Sequence, residues 1–143
     1  MQLASLPWWV FALLSAFFAA LTTIFAKLGI QNVSSNLATA IRTVVILFIA
    51  WVIVLGTGEV KAIGTIGTRT WAMLVLSAVA TGLSWLCYFR ALQIGKASFV
   101  APIDKSSVVM ILVLSVIFLG EPLTWKAVLG TALIVGGTLV FIL

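Results

Sequence analysis

Few side chains in this 143-residue chain could do chemistry. There is no histidine, one cysteine (Cys87) and three carboxylates, which are Glu59, Asp104 and Glu121. Without histidine, neither a Ser-His-Asp nor a Cys-His nucleophile can be built. A cluster of His and Cys metal ligands is equally impossible. The sequence therefore predicts that the protein is not an enzyme and that it needs no metal and no cofactor.

The informative side chains are charges that lie inside otherwise apolar stretches. At about 1.5 Å per helical residue, Arg42 lies about 8 Å inside its stretch, and Asp104 and Lys105 lie about 9–10 Å inside theirs. Such charges are costly in a membrane, and they usually mark a solute path or an ion pair. We interpret them as a polar vestibule with a local charge of about +3, which favours an anionic or zwitterionic solute. The predicted vestibule residues are Lys27, Arg42, Arg90, Asp104 and Lys105.

Each of these charges also has a structural interpretation. Lys27 and Arg90 are close enough to the ends of their stretches to reach the membrane surface with their long side chains. Asp104 and Lys105 are about 100° apart on a helix, so they are not expected to pair with each other. Asp104 is instead expected to pair with Arg42, Lys27 or Arg90. That pair either holds the helices together or takes part in coupling and gating.

The elements that must position these charges are apolar. The composition is 64% hydrophobic and 8% charged, whereas soluble domains have about 45–50% apolar and about 25% charged residues. Five stretches reach the roughly 20 residues that a membrane-crossing helix requires. We predict an all-α integral membrane protein with one five-helix domain over residues 1–143, in contact with the lipid bilayer. The predicted helices cover about residues 8–29, 37–55, 71–92, 98–119 and 124–143.

The segments between these stretches agree with the count. Gly120 is a typical helix stop and Thr124 a typical N-cap, while Gly56–Thr70 is predicted to be the one longer loop. The cations are dispersed, with no basic block, so nucleic acid is not an expected partner. Five of the six tryptophans lie near predicted helix ends on one membrane face, where interfacial tryptophans collect. Trp85 lies mid-helix and is predicted to line the vestibule; packing on neighbours or facing lipid is the alternative.

The distribution of charge does not decide which way the chain is oriented in the membrane. The positive-inside rule compares the Lys and Arg residues at the two faces. One face carries three cations and the other face also carries three, so there is no bias. Either one minor cue sets the orientation, or the chain inserts both ways and two copies pair antiparallel. The three cations of the first face are Lys61, Arg69 and Lys126, and those of the second are Lys27, Arg90 and Lys96.

Small residues recur at the spacings that allow helices to approach closely in lipid. They are typical of a tight bundle or a dimer and carry no information about a solute. The predicted helix-packing positions are Ala16, Ala20, Gly82, Gly130, Gly136 and Gly137.

Five segments resemble the EamA-type branch of the drug/metabolite transporter superfamily. They are AKLG at 26–29, SNLATAIRT at 35–43, YFRAL at 88–92, APIDKSS at 101–107 and LGEPLT at 119–124. The resemblance covers essentially the whole chain and corresponds to one five-helix repeat. Long relatives carry two such repeats in opposite orientation around a solute path, so the resemblance implies a dimer of inverted subunits working by alternating access.

Together these observations predict a secondary transporter of small polar metabolites, a multi-pass permease of a prokaryotic inner membrane. Its partners would be a small-molecule substrate and a second antiparallel copy, or a paired homologue. The alternative is a non-catalytic subunit or lipid-interacting protein that works only with another membrane protein.

Overall fold

The computed structural model describes residues 6–143, and within that range every regular element is a helix. By contacts the chain divides into two compact units: Phe25–Gln93, and Ile94–Leu143 together with the chain up to Ile24. The α-helices are α1 (Trp8–Gly29), α2 (Ser35–Thr57), α3 (Thr68–Ile94), α4 (Ala97–Asp104), α5 (Ser107–Leu114) and α6 (Trp125–Val140).

In the Phe25–Gln93 unit, both ends of α2 are capped by local chemistry. The Ser34 hydroxyl accepts a hydrogen bond from the Leu37 N–H at 3.3 Å, which satisfies one of the free donors of the first turn. At the other end Gly58 adopts the left-handed conformation, with φ of 75°, and its N–H bonds the Leu55 carbonyl. Glycine adopts this conformation without the steric cost of a Cβ.

The segment predicted as a loop, Gly56–Thr70, contains regular structure. A 3₁₀ helix covers Glu59–Thr65 directly after Gly58. Gly58, in its left-handed conformation, turns the chain out of α2. The residues after it form short turns with local i→i+3 hydrogen bonds. The Glu59 carboxylate lies in the first turn of this helix, where the helix dipole favours a negative charge.

The apolar side chains buried in this unit belong to the last residues of α1, the turn after it and the last residues of α3. Phe89 and Leu92 are almost completely buried. Ala26 and Ile30 are buried too, and their spacing of four places them on one side of a helical turn. The buried apolar side chains therefore lie near Lys27 and Arg90 along the sequence, while most other apolar side chains are exposed, as in a chain surrounded by lipid.

In the other unit, the fourth apolar stretch departs from regular α-helix in a two-residue break at Lys105 and Ser106, both of which keep right-handed helical backbone angles. Pro102 has no N–H, so the Ser98 carbonyl loses its usual partner. The Lys105 N–H then bonds the Pro102 carbonyl at 3.0 Å, and the Ser106 N–H bonds the Ile103 carbonyl at 3.0 Å. These i→i+3 bonds tighten the chain between α4 and α5. After α5, a π-helical turn at Ser115–Leu119 completes the stretch.

The predicted boundary between the last two stretches is confirmed. Gly120 ends the π-helical turn in the left-handed conformation, with φ of 66°. Thr124 caps α6, its hydroxyl accepting a hydrogen bond from the Ala127 N–H at 3.3 Å.

Four apolar helical stretches within residues 6–143 are long enough to cross a membrane: α1, α2, α3 and Ala97–Leu119. The fifth, α6, is apolar but has 16 residues, which corresponds to about 24 Å at the usual helical rise. It is shorter than the predicted stretch 124–143 because Phe141 caps it. The five tryptophans predicted near helix ends are all exposed, as interfacial side chains are. They are Trp8, Trp9, Trp51, Trp71 and Trp125.

Candidate solute-binding site

Arg42 lies on α2 against two aromatic rings of α3. Its guanidinium carbon Cζ is 4.1 Å from the centroid of the Phe89 ring and 5.8 Å from that of Trp85. Both distances are within the range in which a cation is attracted to the face of an aromatic ring. The structure thus brings together Arg42 and Trp85, two of the predicted site residues, and adds Phe89 to them.

Among residues 6–143 the Arg42 guanidinium has no ion-pair partner. Its Nη1 atom is buried and has no hydrogen-bond partner among residues 6–143. The neighbouring hydroxyls are already engaged with the backbone: Thr39 donates to the Ser35 carbonyl at 2.8 Å, and Thr43 donates to the Thr39 carbonyl at 2.9 Å.

The charge of Arg42 is costly to place inside a membrane. A charged side chain at the centre of a membrane helix costs about 2.5–3.5 kcal/mol on insertion scales. Cation–π contacts return about 0.5–2 kcal/mol, the larger value applying when the cation is desolvated. At a depth of several residues the two magnitudes are comparable. An acceptor bound to Nη1 would add a hydrogen bond to a charged group, which contributes about 1.5–3 kcal/mol.

One stripe of α3 carries the side chains that face Arg42 and the turn before α2. Trp85, Phe89 and Gln93 follow each other at intervals of four residues, and such residues lie above one another on a helix. The i, i+4 spacing was readable in the sequence, but in so apolar a chain it did not distinguish Phe89 from the other phenylalanines.

Lys27 has a specific structural contact. Its Nζ atom donates a hydrogen bond of 2.6 Å to the carbonyl of Leu92. Leu92 belongs to the last turn of α3, where carbonyls lack intrahelical partners. A cation at a helix C-terminus also interacts favourably with the helix dipole. Lys27 therefore ties the end of α1 to the end of α3.

Arg90 belongs to a second tie at the same end of α3. Its Nη1 atom donates to the Gln93 side-chain carbonyl at 2.7 Å, and the Gln93 amide donates to the Val33 carbonyl at 3.1 Å. Arg90 is exposed. This chain of bonds holds the turn between α1 and α2 against α3 and so fixes where α2, with Arg42, begins.

Asp104 and Lys105 lie in the other unit, and the prediction that they do not pair is wrong. Lys105 Nζ is 3.7 Å from Asp104 Oδ2. Lys105 keeps right-handed helical backbone angles, with φ of −68° and ψ of −11°. The angular offset therefore remains, and the long, flexible lysine side chain reaches across it. The Lys105 side chain remains 65% exposed and the Asp104 side chain 40% exposed. Ion pairs this exposed contribute little to stability. This pairing departs from the predicted partners of Asp104, which were Arg42, Lys27 and Arg90.

The break after α4 is held by a residue that the sequence analysis did not single out. The Thr138 hydroxyl of α6 lies 3.2 Å from the Pro102 carbonyl and 2.8 Å from the carbonyl of Ile134 in its own helix. Thr138 is buried. Phe99 and Phe141 add a ring contact at 6.0 Å between the same elements. Both contacts fasten the C-terminal part of α6 to α4.

The predicted helix-packing positions have space beside them. A Cβ atom added at any of the four glycines would meet no neighbouring atom within 4 Å among the described residues, and Ala16 and Ala20 are exposed. That these positions pack against other helices stays a prediction. The four glycines are Gly82, Gly130, Gly136 and Gly137.

The six predicted site residues thus fall into two groups. Lys27, Arg42, Trp85 and Arg90 belong to the Phe25–Gln93 unit, whereas Asp104 and Lys105 belong to the other. Within residues 6–143 no group of three His, Cys, Asp or Glu side chains is arranged to hold a metal ion. The chemistry available at Arg42 is the binding of an anion by a cation that aromatic rings hold in place.

Comparison with known proteins gives the family. The model of the EamA-like transporter family matches residues 6–143. The chain belongs to this family. It is also similar to a Sinorhizobium protein named "Uncharacterized transporter in cobO 3'region", with 52% identity over 135 residues, which cover 94% of this chain and 96% of that protein. No solved structure matches the chain. The similarity extends over nearly the full length of both sequences.

Proposed function

We propose that this EamA family member is a secondary transporter of small polar metabolites, anionic or zwitterionic, in a prokaryotic inner membrane. The observation that carries the proposal is the family match over residues 6–143. The chemistry of Arg42 gives the preference for solutes with a negative group, because its buried Nη1 needs an acceptor.

The transporter works as a pair of inverted copies, each with five membrane-spanning helices. Three features support this arrangement. The Lys and Arg residues are divided evenly between the two predicted faces, so charge does not impose one orientation. The glycines of α6 have no neighbour within 4 Å, which leaves room for a close helix contact. The single repeat supplies half of the ten helices that the long relatives arrange around their path.

Alternating access follows from the inversion. A vestibule that opens to one side of the membrane in one copy opens to the other side in the inverted copy. The break between α4 and α5 supplies an interrupted helix of the kind that transporter sites use, and Asp104 at the end of α4 is the proposed gating or coupling residue. α6 is short for a membrane-spanning helix. In the pair, helices of the second copy pack around α6 and complete the bundle.

The proposal is tested by release from proteoliposomes. Vesicles containing the purified chain are loaded with isotopically labelled amino acids, small carboxylic acids and small amines, and the efflux of each compound is followed by mass spectrometry. We expect compounds with a carboxylate to leave faster than from empty vesicles, and amines without one to be retained. Selective release of the amines would contradict the proposed solute class. Release that depends on a co-reconstituted neighbour would favour the alternative of a subunit that needs a partner.

A further inference from the structure

We propose that Arg42, held by Phe89 and Trp85, is an oxyanion-binding subsite that receives the carboxylate or phosphate of a solute. This inference rests on the proposed transport function, and it names the group of the solute that the protein binds. It assigns the binding to one side chain among the cations of the chain, and it gives the two aromatic residues a positioning role.

The first argument is geometric. A guanidinium group is planar, with its N–H donors in the plane and its two faces free of donors. The Phe89 ring centroid lies 4.1 Å from Cζ, within the range of a cation–π contact. This contact provides no oxygen acceptor for the N–H donors, so the N–H edge still has hydrogen bonds to make. Carboxylates and phosphates bind that edge, commonly through two parallel hydrogen bonds.

The second argument is the lack of an internal acceptor. Nη1 is buried and unbonded among residues 6–143, while both adjacent threonine hydroxyls donate to backbone carbonyls. Glu59, the carboxylate of the same unit, follows Arg42 by seventeen residues, which is about 25 Å along a helix. The carboxylate of Asp104 is paired with Lys105. Arg42 is thus a partly buried cation whose neutralising group comes from outside the protein.

The third argument comes from the two other cations of the same unit that were predicted to line the vestibule. Lys27 donates to a helix carbonyl, and Arg90 donates to Gln93. Both contacts fasten the ends of helices, and each leaves Arg42 unpaired. Lys27 and Arg90 therefore fix the geometry of α2 and α3, whereas Arg42 binds the ligand.

The test is chemical protection of Arg42. The full chain in maltoside micelles, which contain no phosphate group, is treated with phenylglyoxal, and the modification rates of its arginines are read by peptide mass spectrometry. Benzoate and inorganic phosphate are the anion probes, and benzamide is the uncharged match of benzoate. At an anion concentration of about four times Kd, mass action predicts about fivefold slower modification of Arg42. Exposed Arg69 is the internal control, whose rate should not change.

A variant separates a binding site from a general salt effect. Phe89→Leu removes the ring that covers the guanidinium and keeps an apolar side chain. We expect it to weaken the protection of Arg42 by benzoate, while Arg69 continues to react as in the unmodified protein. The Trp85→Leu variant removes the more distant ring and serves if Phe89→Leu does not fold; we expect it to weaken the protection of Arg42 as well, and unchanged protection in both variants would contradict the positioning role of the rings.

The outcomes distinguish the sources of the oxyanion and the two proposals. Protection by benzoate and phosphate, but not by benzamide, supports the solute subsite. Equal slowing of Arg42 and Arg69, or no slowing at all, overturns it. A third outcome is protection only in nanodiscs that contain phosphatidylglycerol, without soluble anions; it assigns the site to a lipid headgroup and overturns the solute subsite. Because the assay measures binding alone, it can succeed when proteoliposome release fails, and the reverse also holds.

Discussion

The guanidinium carbon of Arg42 lies 4.1 Å from the centroid of the Phe89 ring, which joins the first half of α2 to the last third of α3. Phe89 is almost completely buried, so the ring that contacts the cation is packed inside the protein. In the proposed subsite this contact preorganises Arg42, because less side-chain freedom is then lost when a ligand arrives.

Replacement of Arg42 should slow anion-dependent transport. Arg42→Gln removes the charge, and Arg42→Lys keeps the charge but loses the planar fork that matches an oxyanion. We expect Arg42→Gln to lower the initial efflux rate of carboxylate solutes by at least about tenfold, the effect of about 1.4 kcal/mol of lost binding, and Arg42→Lys to fall between it and the unmodified protein. The control is Arg69→Gln, which removes an exposed arginine at the start of α3. Equal rates for the two Gln variants would remove Arg42 from the solute path.

Lys27 should contribute to stability through its bond to the α3 terminus. Lys27→Met keeps the apolar stem and leaves the Leu92 carbonyl without this donor. We expect a loss of about 1–2 kcal/mol in the free energy of unfolding, the usual size for a hydrogen bond made by a charged group. The measurement is denaturant unfolding in detergent. Lys126→Met is the matched control, since it deletes an exposed lysine in the first turn of α6; an equal loss in both variants would show that the Leu92 bond is not responsible.

Gln93 should hold the turn between α1 and α2 in place. Gln93→Leu breaks both the bond from Arg90 and the bond to the Val33 carbonyl. Its expected effect is faster amide hydrogen exchange at residues 30–34 and at the start of α2, with a stability loss of about 1 kcal/mol. Gln31→Leu changes an exposed glutamine of the same turn and should leave exchange in α3 unaltered. If Gln93→Leu accelerates exchange no more than Gln31→Leu, the tie is unimportant.

Thr138 should stabilise the break after α4. Thr138→Val is nearly isosteric and removes the hydroxyl that reaches both the Pro102 and Ile134 carbonyls. Thr81→Val is a close match, because the Thr81 hydroxyl bonds the Ser77 carbonyl of its own helix. Interhelical bonds in membranes contribute on average about 0.6 kcal/mol, so the first variant should be less stable than the second by about that amount. The comparison uses the midpoints of thermal unfolding, and identical midpoints would argue against the contact.

The sequence predicted much of this fold because length and apolarity determine what crosses a membrane. The hydrophobic stretches predict where α1, α2 and α3 run to within a few residues, and Gly120 and Thr124 mark a helix end and a helix start through local backbone chemistry. The interruption after Asp104 was not predicted, since one proline is compatible both with a first turn and with a kink. It is visible only once the chain between α4 and α5 is seen to use i→i+3 bonds.

The candidate site was predictable only in part. Arg42 stood out because a charge inside an apolar stretch is rare. Phe89 did not, because it is one of nine phenylalanines and its role depends on which face of α3 meets α2. The pairing of Asp104 with Lys105 was predicted incorrectly, because the angular offset between neighbouring helical residues does not prevent a long, flexible lysine side chain from reaching the carboxylate beside it.

The inverted pair is the central claim, and the orientation of α2 tests it most directly. Asn32 precedes this helix and Ala62 follows it, and both are exposed. The 23 residues of α2 span about 34 Å, enough to place the two positions on opposite membrane faces. In a Cys87→Ser background, Asn32→Cys and Ala62→Cys are each treated in intact bacterial cells with a membrane-impermeant maleimide. An inverted pair predicts that about half of the chains are labelled in each variant. Complete labelling of one variant and none of the other would contradict it.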